Sequence, residues 1–325
     1  MRITYHIMKD KSMRGPRIPI RASFCVVSSA LFILCVRLFS LHDHIERQPP
    51  SKPSVLVEDH AAVQRGIYGG KGDAAHLGGF TGLDLQGICP NTWKHIMSDW
   101  VVKSVLDLGC GKGVSTLWFH LQGLDTLCVE GSHDATTHSF LPPSTIVEHD
   151  FTRGAWWPEK TYDLVWSVEF LEHVGTPYMQ NYLPILKKGA VLVVTHSTWG
   201  GWHHVEVHTK EWWIRKLTTW GFVFSESLTK ELHKYAHEGK GEAPKNHTYN
   251  AQHLWLNGLV FMNPSVSHLP QHAHLFTEHG CGEVGNKKPC DGQDTLPERY
   301  LPLPFDPKQQ KQWERQVFPT RDMFL

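Results

Sequence analysis

Short apolar runs, each closed by polar or glycine-rich residues, recur through the middle of the chain. The clearest spans 105–108, interrupted only by Asp107, and passes through a glycine-rich turn into a helix predicted over 114–121. Apolar runs of this length between turn residues are the pattern of strands covered on both faces. The pattern returns at 126–130, 145–150, 162–168 and 190–195, while 221–224 and 254–262 offer two more strands as a closing antiparallel pair. Strands alternating with helical stretches predict an α/β fold, with a mostly parallel seven-stranded sheet and helices on both faces.

The turn after the first strand, Gly109-Cys110-Gly111-Lys112-Gly113, lets the backbone bend with positive φ and lets a ligand come close. Dinucleotide folds use a related turn, G-x-G-x-x-G, against a pyrophosphate. Here the third glycine comes one residue too early, and Val114 stands where that fold wants a small residue. Asp107 at the strand end would repel a pyrophosphate and welcome an ammonium or sulfonium group. The stretch 105–113 resembles motif I of the class I S-adenosylmethionine (SAM) methyltransferases. The resemblance covers about 65–265 and implies a Rossmann-like class I methyltransferase domain. It also implies that Asp107, Gly109, Gly111, Gly113, Glu130, Gly131, Asp150 and Phe151 bind SAM. In that family the acid after the second strand, here Glu130, takes the ribose hydroxyls. Asp150 contacts the adenine amino group, and Phe151 packs on the ring. A nicotinamide cofactor would want Glu130 equally, so that residue alone does not discriminate. The core is also similar to methyltransferase-domain proteins of algae and related protists.

A second chemically loaded segment, Glu169-Phe170-Leu171-Glu172-His173-Val174, follows the fourth strand, at the end that faces the crevice in an open α/β sheet. A helix beginning at Glu169 would place Glu169, Glu172 and His173 on one face. Two carboxylates and an imidazole suit Mg²⁺ or Mn²⁺, with His204 as a fourth ligand. The arrangement is similar to the E-x-x-E-H element and downstream histidine of the small-RNA 3′-end 2′-O-methyltransferases. The ubiquinone-pathway O-methyltransferases show a similar E-H-V element. Without a metal, Glu172 would cap a helix and His173 would line the cofactor pocket. A third reading makes His173 or His204 a general base. His173, His204 and Glu169 are the candidate catalytic residues. Their chemistry favours an oxygen acceptor, because a hydroxyl needs help to become nucleophilic. Trp199 and Trp202 lie on the loop after the fifth strand and are candidates for the pocket rim, and glycine-rich 68–80 is a candidate lid over the cofactor.

Charge is balanced, with 32 Lys and Arg against 32 Asp and Glu, which argues against an extensive nucleic-acid surface. The first 21 residues are basic, and 22–41 is almost wholly apolar, long enough to span a membrane as a signal anchor. A cleaved signal peptide is the rival, but the run is long and no small-x-small site follows it. An organelle transit peptide suits the arginines and not the continuous apolar run. The basic flank predicts a single-pass type II protein whose catalytic domain faces the ER/Golgi lumen. Residues 42–64 read as a stem and 266–325 as a loop-rich tail. Cys110 and Cys128 fall on predicted buried elements. Cys281 and Cys290 are equally read as a disulfide or as free thiols, and Asn246 heads a glycosylation sequon. The functional expectation is a methyltransferase acting on a small hydroxylated molecule or glycan. The alternatives are a non-catalytic scaffold keeping a SAM pocket and, disfavoured by the glycine spacing, a nicotinamide oxidoreductase.

Overall fold

A computed structural model describes residues 74–77, 83–201, 204–243, 247–276 and 301–318. The expected basic tail, membrane anchor and stem lie outside the described residues, as do Cys281, Cys290, Trp202, Asn246 and most of the glycine-rich lead-in. No helix among the described residues is long and apolar enough to cross a membrane.

In chain order the structure runs α1 (Pro90–Ser98), β1 (Ser104–Leu108), α2 (Val114–Leu121), β2 (Asp125–Glu130), α3 (His133–Thr137), β3 (Ile146–Glu148) and β4 (Tyr162–Ser167). It continues with α4 (Met179–Leu186), β5 (Gly189–Val194), α5 (Lys210–Thr219), β6 (Val223–Phe224) and α6 (Glu226–Glu238). A small hairpin, β7 (Gly241–Ala243) and β8 (His247–Tyr249), precedes α7 (Gln252–Asn257), β9 (Leu259–Met262), α8 (Pro264–Ser267) and α9 (Pro307–Val317). Seven strands form one sheet in the order β3-β2-β1-β4-β5-β9-β6. The first five pair in parallel, and β9 enters antiparallel between β5 and β6. Strand order reverses beside β1, so the crevice for a ligand opens at the carboxyl ends of β1 and β4.

Alternation along the strands builds two cores. Val105, Leu164, Trp166, Val191, Val193 and Val260 face one layer with α1, α2 and α6. Leu106, Leu108, Val165, Leu192, Val194 and Phe261 face the other with α4 and α5. The central strands β1, β4, β5 and β9 are therefore covered on both sides, which is why these runs contain so few polar residues.

One expectation is corrected. The run 254–262 divides into helix α7 and strand β9, with Gly258 between them. Within the stretch 266–325, read as loop-rich, the described residues include helix α9. Asp306 caps α9 by accepting the Lys308 N–H, Pro307 fills the first helical position, and Trp313 and Val317 are fully buried in the first core. Upstream, His272 and His274 reach Asp163 at the start of β4, at 2.6 and 2.8 Å. Burial alone would raise the Asp163 carboxyl; these bonds hold it instead at about 2, and they pin 270–276 to the amino-terminal end of β4.

Candidate active site

At the carboxyl ends of β1, β2 and β4 lies a cavity of about 630 Å³. Its lining holds the carboxylates Asp84, Asp107, Glu130, Asp134, Asp150 and Glu169 and a single Lys or Arg side chain, Lys112. So negative a cavity suits a cationic ligand and opposes a pyrophosphate.

The first half is built by the β1 turn and the ends of β2 and β3. Gly111 sits at φ +55, and a Cβ there would meet nothing within 4 Å, so its open side faces ligand space. Its N–H donates to Glu130 Oε2 at 2.7 Å, and Ser132 N–H donates to Glu130 Oε1 at 2.9 Å. Backbone N–H groups on both sides thus fix the orientation of the Glu130 carboxylate at the cavity wall. Burial raises its pKa, and the backbone N–H bonds offset part of that rise. Asp107 is buried, and its Oδ2 accepts the hydroxyls of Ser115 and Thr116 at 2.6 and 2.7 Å. Burial outweighs these bonds and pushes its carboxyl up to about 6. Asp150 accepts from Thr152 and pairs with His76 at 3.1 Å, while Phe151 lies buried beside it. Although burial works against it, the His76 and Thr152 bonds hold Asp150 below the usual carboxylate range. Gly109, Gly131 and the other predicted cofactor residues also line the cavity, except Gly113. That residue is the N-cap of α2, where a Cβ would strike Leu141.

The second half departs from expectation. Residues 169–174 are a turn, not a helix, and Glu169 adopts a left-handed conformation with φ +56. The Thr195 hydroxyl imposes it, accepting the Glu169 N–H at 2.7 Å and donating to Glu169 Oε1 at 3.1 Å. Glu169 Oε1 lies 3.4 Å from His253 Nδ1, and Glu169 is not one of the ligand atoms that group together. The remaining three, Glu172, His173 and His204, do converge, with ligand atoms within 4.8 Å of one another. Glu172 is fully buried, and neither carboxylate oxygen has a hydrogen-bond partner. Its pKa is driven well up by burial and by the neighbouring Glu169 charge. An orphaned buried carboxylate is costly, and its presence beside two imidazoles fits a cation ligand. His204 is fixed by Nδ1, which donates to the Trp199 carbonyl at 2.9 Å and leaves Nε2 as the acceptor. Gly201 allows this placement, because a Cβ there would lie 2.5 Å from His204 Nε2.

A family model described as a methyltransferase domain matches residues 91–236. This part of the chain is a methyltransferase domain. Among solved structures, a TehB-like SAM-dependent methyltransferase from Corynebacterium glutamicum is 15% identical, with a TM-score of 0.38 over 54% of this chain and 88% of that one. The magnesium protoporphyrin IX methyltransferase of Synechocystis PCC 6803 is 14% identical, with a TM-score of 0.32 over 49% and 69%. The methyltransferase domain of a bacterial CtHen1 is 17% identical, with a TM-score of 0.36 over 55% and 98%. At these scores the likenesses carry no weight, and the fold assignment rests on the strand order. No curated protein matches the chain.

Three features of the methyltransferase domain escape a reading of motifs. His253 Nε2 pairs with Asp84 at 2.9 Å, so this imidazole bridges two carboxylates on the cavity wall. His76 covers the cavity near Asp150 from the short helical turn Ala75–Leu77. Cys110 and Cys128 join in a disulfide with Cα atoms 5.8 Å apart, tying the glycine turn to β2. No local signal marks any of them, since each pair is made by the tertiary fold. Trp199, chosen as a rim residue, is 75% exposed.

Proposed function

We propose that this methyltransferase domain methylates an oxygen, on a small hydroxylated molecule or a glycan, and that Glu172, His173 and His204 hold a divalent cation, Mg²⁺ or Mn²⁺, beside the acceptor. The observation that carries the reading is the orphaned, buried Glu172 carboxylate, grouped within 4.8 Å with ligand nitrogens of His173 and His204, which line the acidic cavity. Asp107, Glu130, Asp150 and Phe151 would hold SAM through its cationic and hydroxyl-bearing parts, with Gly109, Gly111 and Gly131 giving it room. When bound, SAM supplies an electrophilic methyl group, and a divalent cation would lower the pKa of an acceptor hydroxyl. The chain's own contribution is orientation. The turn at 169–174 and the loop at 197–204 set the acceptor opposite the cofactor half, and placement of the two reactants supplies most of the acceleration in such a displacement.

A second reading gives His204 the work of a general base, because its Nδ1 bond to Trp199 leaves Nε2 free to take a proton. Chelation separates the two. Metal assistance predicts that turnover stops with a chelator and returns with Mg²⁺ or Mn²⁺; turnover that survives chelation transfers the role to His204. Glu172→Gln should lose cation binding, keep S-adenosylhomocysteine binding, and stabilise the cation-free fold by about 1–3 kcal/mol, because it removes an unsatisfied buried acid. An unchanged melting temperature with metal binding intact would sink the ligand assignment.

The topology proposal is a lumen-facing catalytic domain behind an anchor at 22–41. The Cys110–Cys128 disulfide supports an oxidising compartment. Protease added outside intact vesicles should leave the domain intact, and digestion would place it in the cytosol.

A further inference from the structure

The exposed apolar side chains are not spread evenly over the surface. Among the described residues eight large ones remain exposed, and four of them, Tyr178, Trp199, Val205 and Val207, lie on two neighbouring segments beside His204. The Trp199 carbonyl holds the His204 ring, and Val205 follows His204 in the chain. Ser197 and Val207 pair in an isolated parallel bridge, which holds the two ends of the loop together. The N–H and hydroxyl of Thr176 both bond to Glu206, and Gly175 packs close to Val205, so Tyr178 belongs to the same rim. Clustered exposed apolar side chains around a cavity mouth mark a binding surface more often than singly scattered ones.

Charge narrows what such a surface accepts. Neither 161–186 nor 189–209 contains a Lys or Arg, and these stretches supply the cavity lining that follows β4 and β5, including Glu169, His173 and His204. Their charged groups are Asp163, Glu169, Glu172 and Glu206, with histidines between them. An acceptor carrying phosphate, sulfate or carboxylate would meet the carboxylates of these stretches and no Lys or Arg side chain on them, which disfavours it against an uncharged one. An apolar body laid on Trp199, Val205 and Tyr178 would instead bury exposed carbon on both partners.

We infer that the acceptor is an uncharged hydroxyl compound with an extended apolar body, whose hydroxyl enters beside His173 and His204 while its apolar part lies on the rim formed by Tyr178, Trp199, Val205 and Val207. The inference rests on the oxygen-methyltransferase reading and narrows its substrate class. The test uses the full chain saturated with S-adenosylhomocysteine and titrated by calorimetry with phenol, 4-octylphenol and 4-hydroxybenzenesulfonate. The expected result is that 4-octylphenol binds at least tenfold tighter than either of the others. Trp199→Ala and Val205→Ser should each weaken 4-octylphenol at least fivefold and leave the affinity for S-adenosylhomocysteine and for phenol unchanged. Equal or tighter binding of the sulfonate, no gain from the octyl chain, or indifference to both substitutions would overturn the inference. Failure of the methyltransferase reading looks different: the chain would not take up S-adenosylhomocysteine, before any phenol is added.

Discussion

Asp107 shows how one buried side chain can couple a cofactor site to pH. Its carboxyl titrates near 6 because burial penalises the anion more than the Ser115 and Thr116 hydroxyls relieve it. The folded value lies above the unfolded one, so the empty domain pays nothing for this group while it is protonated in both states. The cost appears as pH rises from about 4 and is complete once pH passes about 6. A ligand ammonium beside the carboxylate reverses that preference by favouring the ionised form. Affinity for S-adenosylhomocysteine should therefore rise about tenfold between pH 5 and 7.5, one pKa unit being a factor of ten. Calorimetry across that range, repeated on Asp107→Asn, checks it. The variant should bind more weakly at pH 7.5 and lose the slope, and a flat profile in the unaltered chain would remove Asp107 from the cation's surroundings.

At the scale of elements, the lead-in before α1 is held over the cavity at two points. His76 meets Asp150 near one end, and at the other Asp84 meets His253, with backbone bonds Asn250 N–H to the Leu85 carbonyl and His253 N–H to the Gln86 carbonyl. Burial would lower the His253 pKa, but Asp84 and Glu169 together raise it. Removing the ring leaves the Asp84 and Glu169 carboxylates without the imidazole that joins them. His253→Ala should speed release of S-adenosylhomocysteine about tenfold, in line with the 1–3 kcal/mol scale of a charge-assisted hydrogen bond, and Asp84→Asn should fall between it and the unaltered chain. Stopped-flow dissociation measures this, and an unchanged rate in His253→Ala would mean that the pair does not gate the cavity. The latch also marks where reading the sequence stops. Strands β1 to β5 are legible because burial on both faces leaves a continuous apolar run, and α2 is legible because glycines announce its start. The turn at Glu169 is not, because its left-handed backbone is imposed by a hydroxyl on Thr195, at the far end of another strand. Asp84 and His253 meet only after the sheet has closed. The same holds for Cys110 and Cys128, whose neighbourhood follows from the parallel register of β1 and β2, in which Asp107 stands opposite Cys128.

For the molecule as a whole, the element furthest from the motifs lies against the cofactor helix. Helix α9 is mostly polar in sequence, and only Trp313 and Val317 among its residues are buried, so no sustained apolar pattern reveals it. Yet Trp313 packs edge-on against Trp93, 5.6 Å between ring centres, and its indole N–H donates to the Val114 carbonyl at 2.8 Å. Val114 is the first residue of α2, the helix that the glycine turn feeds, so α9 braces the start of that helix from behind. Gln122, just past the other end of α2, exchanges hydrogen bonds with the Asp306 backbone. Loss of Trp313 should empty the space between α1 and α2, and Trp313→Ala should lower the unfolding free energy by about 3–5 kcal/mol, the range for truncating a buried Trp. Because the cavity is on the α2 start, affinity for S-adenosylhomocysteine should fall as well. Ending the chain at residue 300 should cost at least as much, removing Val317 along with Trp313. Urea denaturation and ligand titration on the two variants, with Trp313→Phe as a milder control that keeps an aromatic ring, measure both effects. A chain ending at 300 that kept its urea midpoint and its ligand affinity would show that α9 is an appendage and that the domain is complete without it. The opposite result would make the last described helix part of the machinery that positions the cofactor, although it lies outside the residues that match the methyltransferase family.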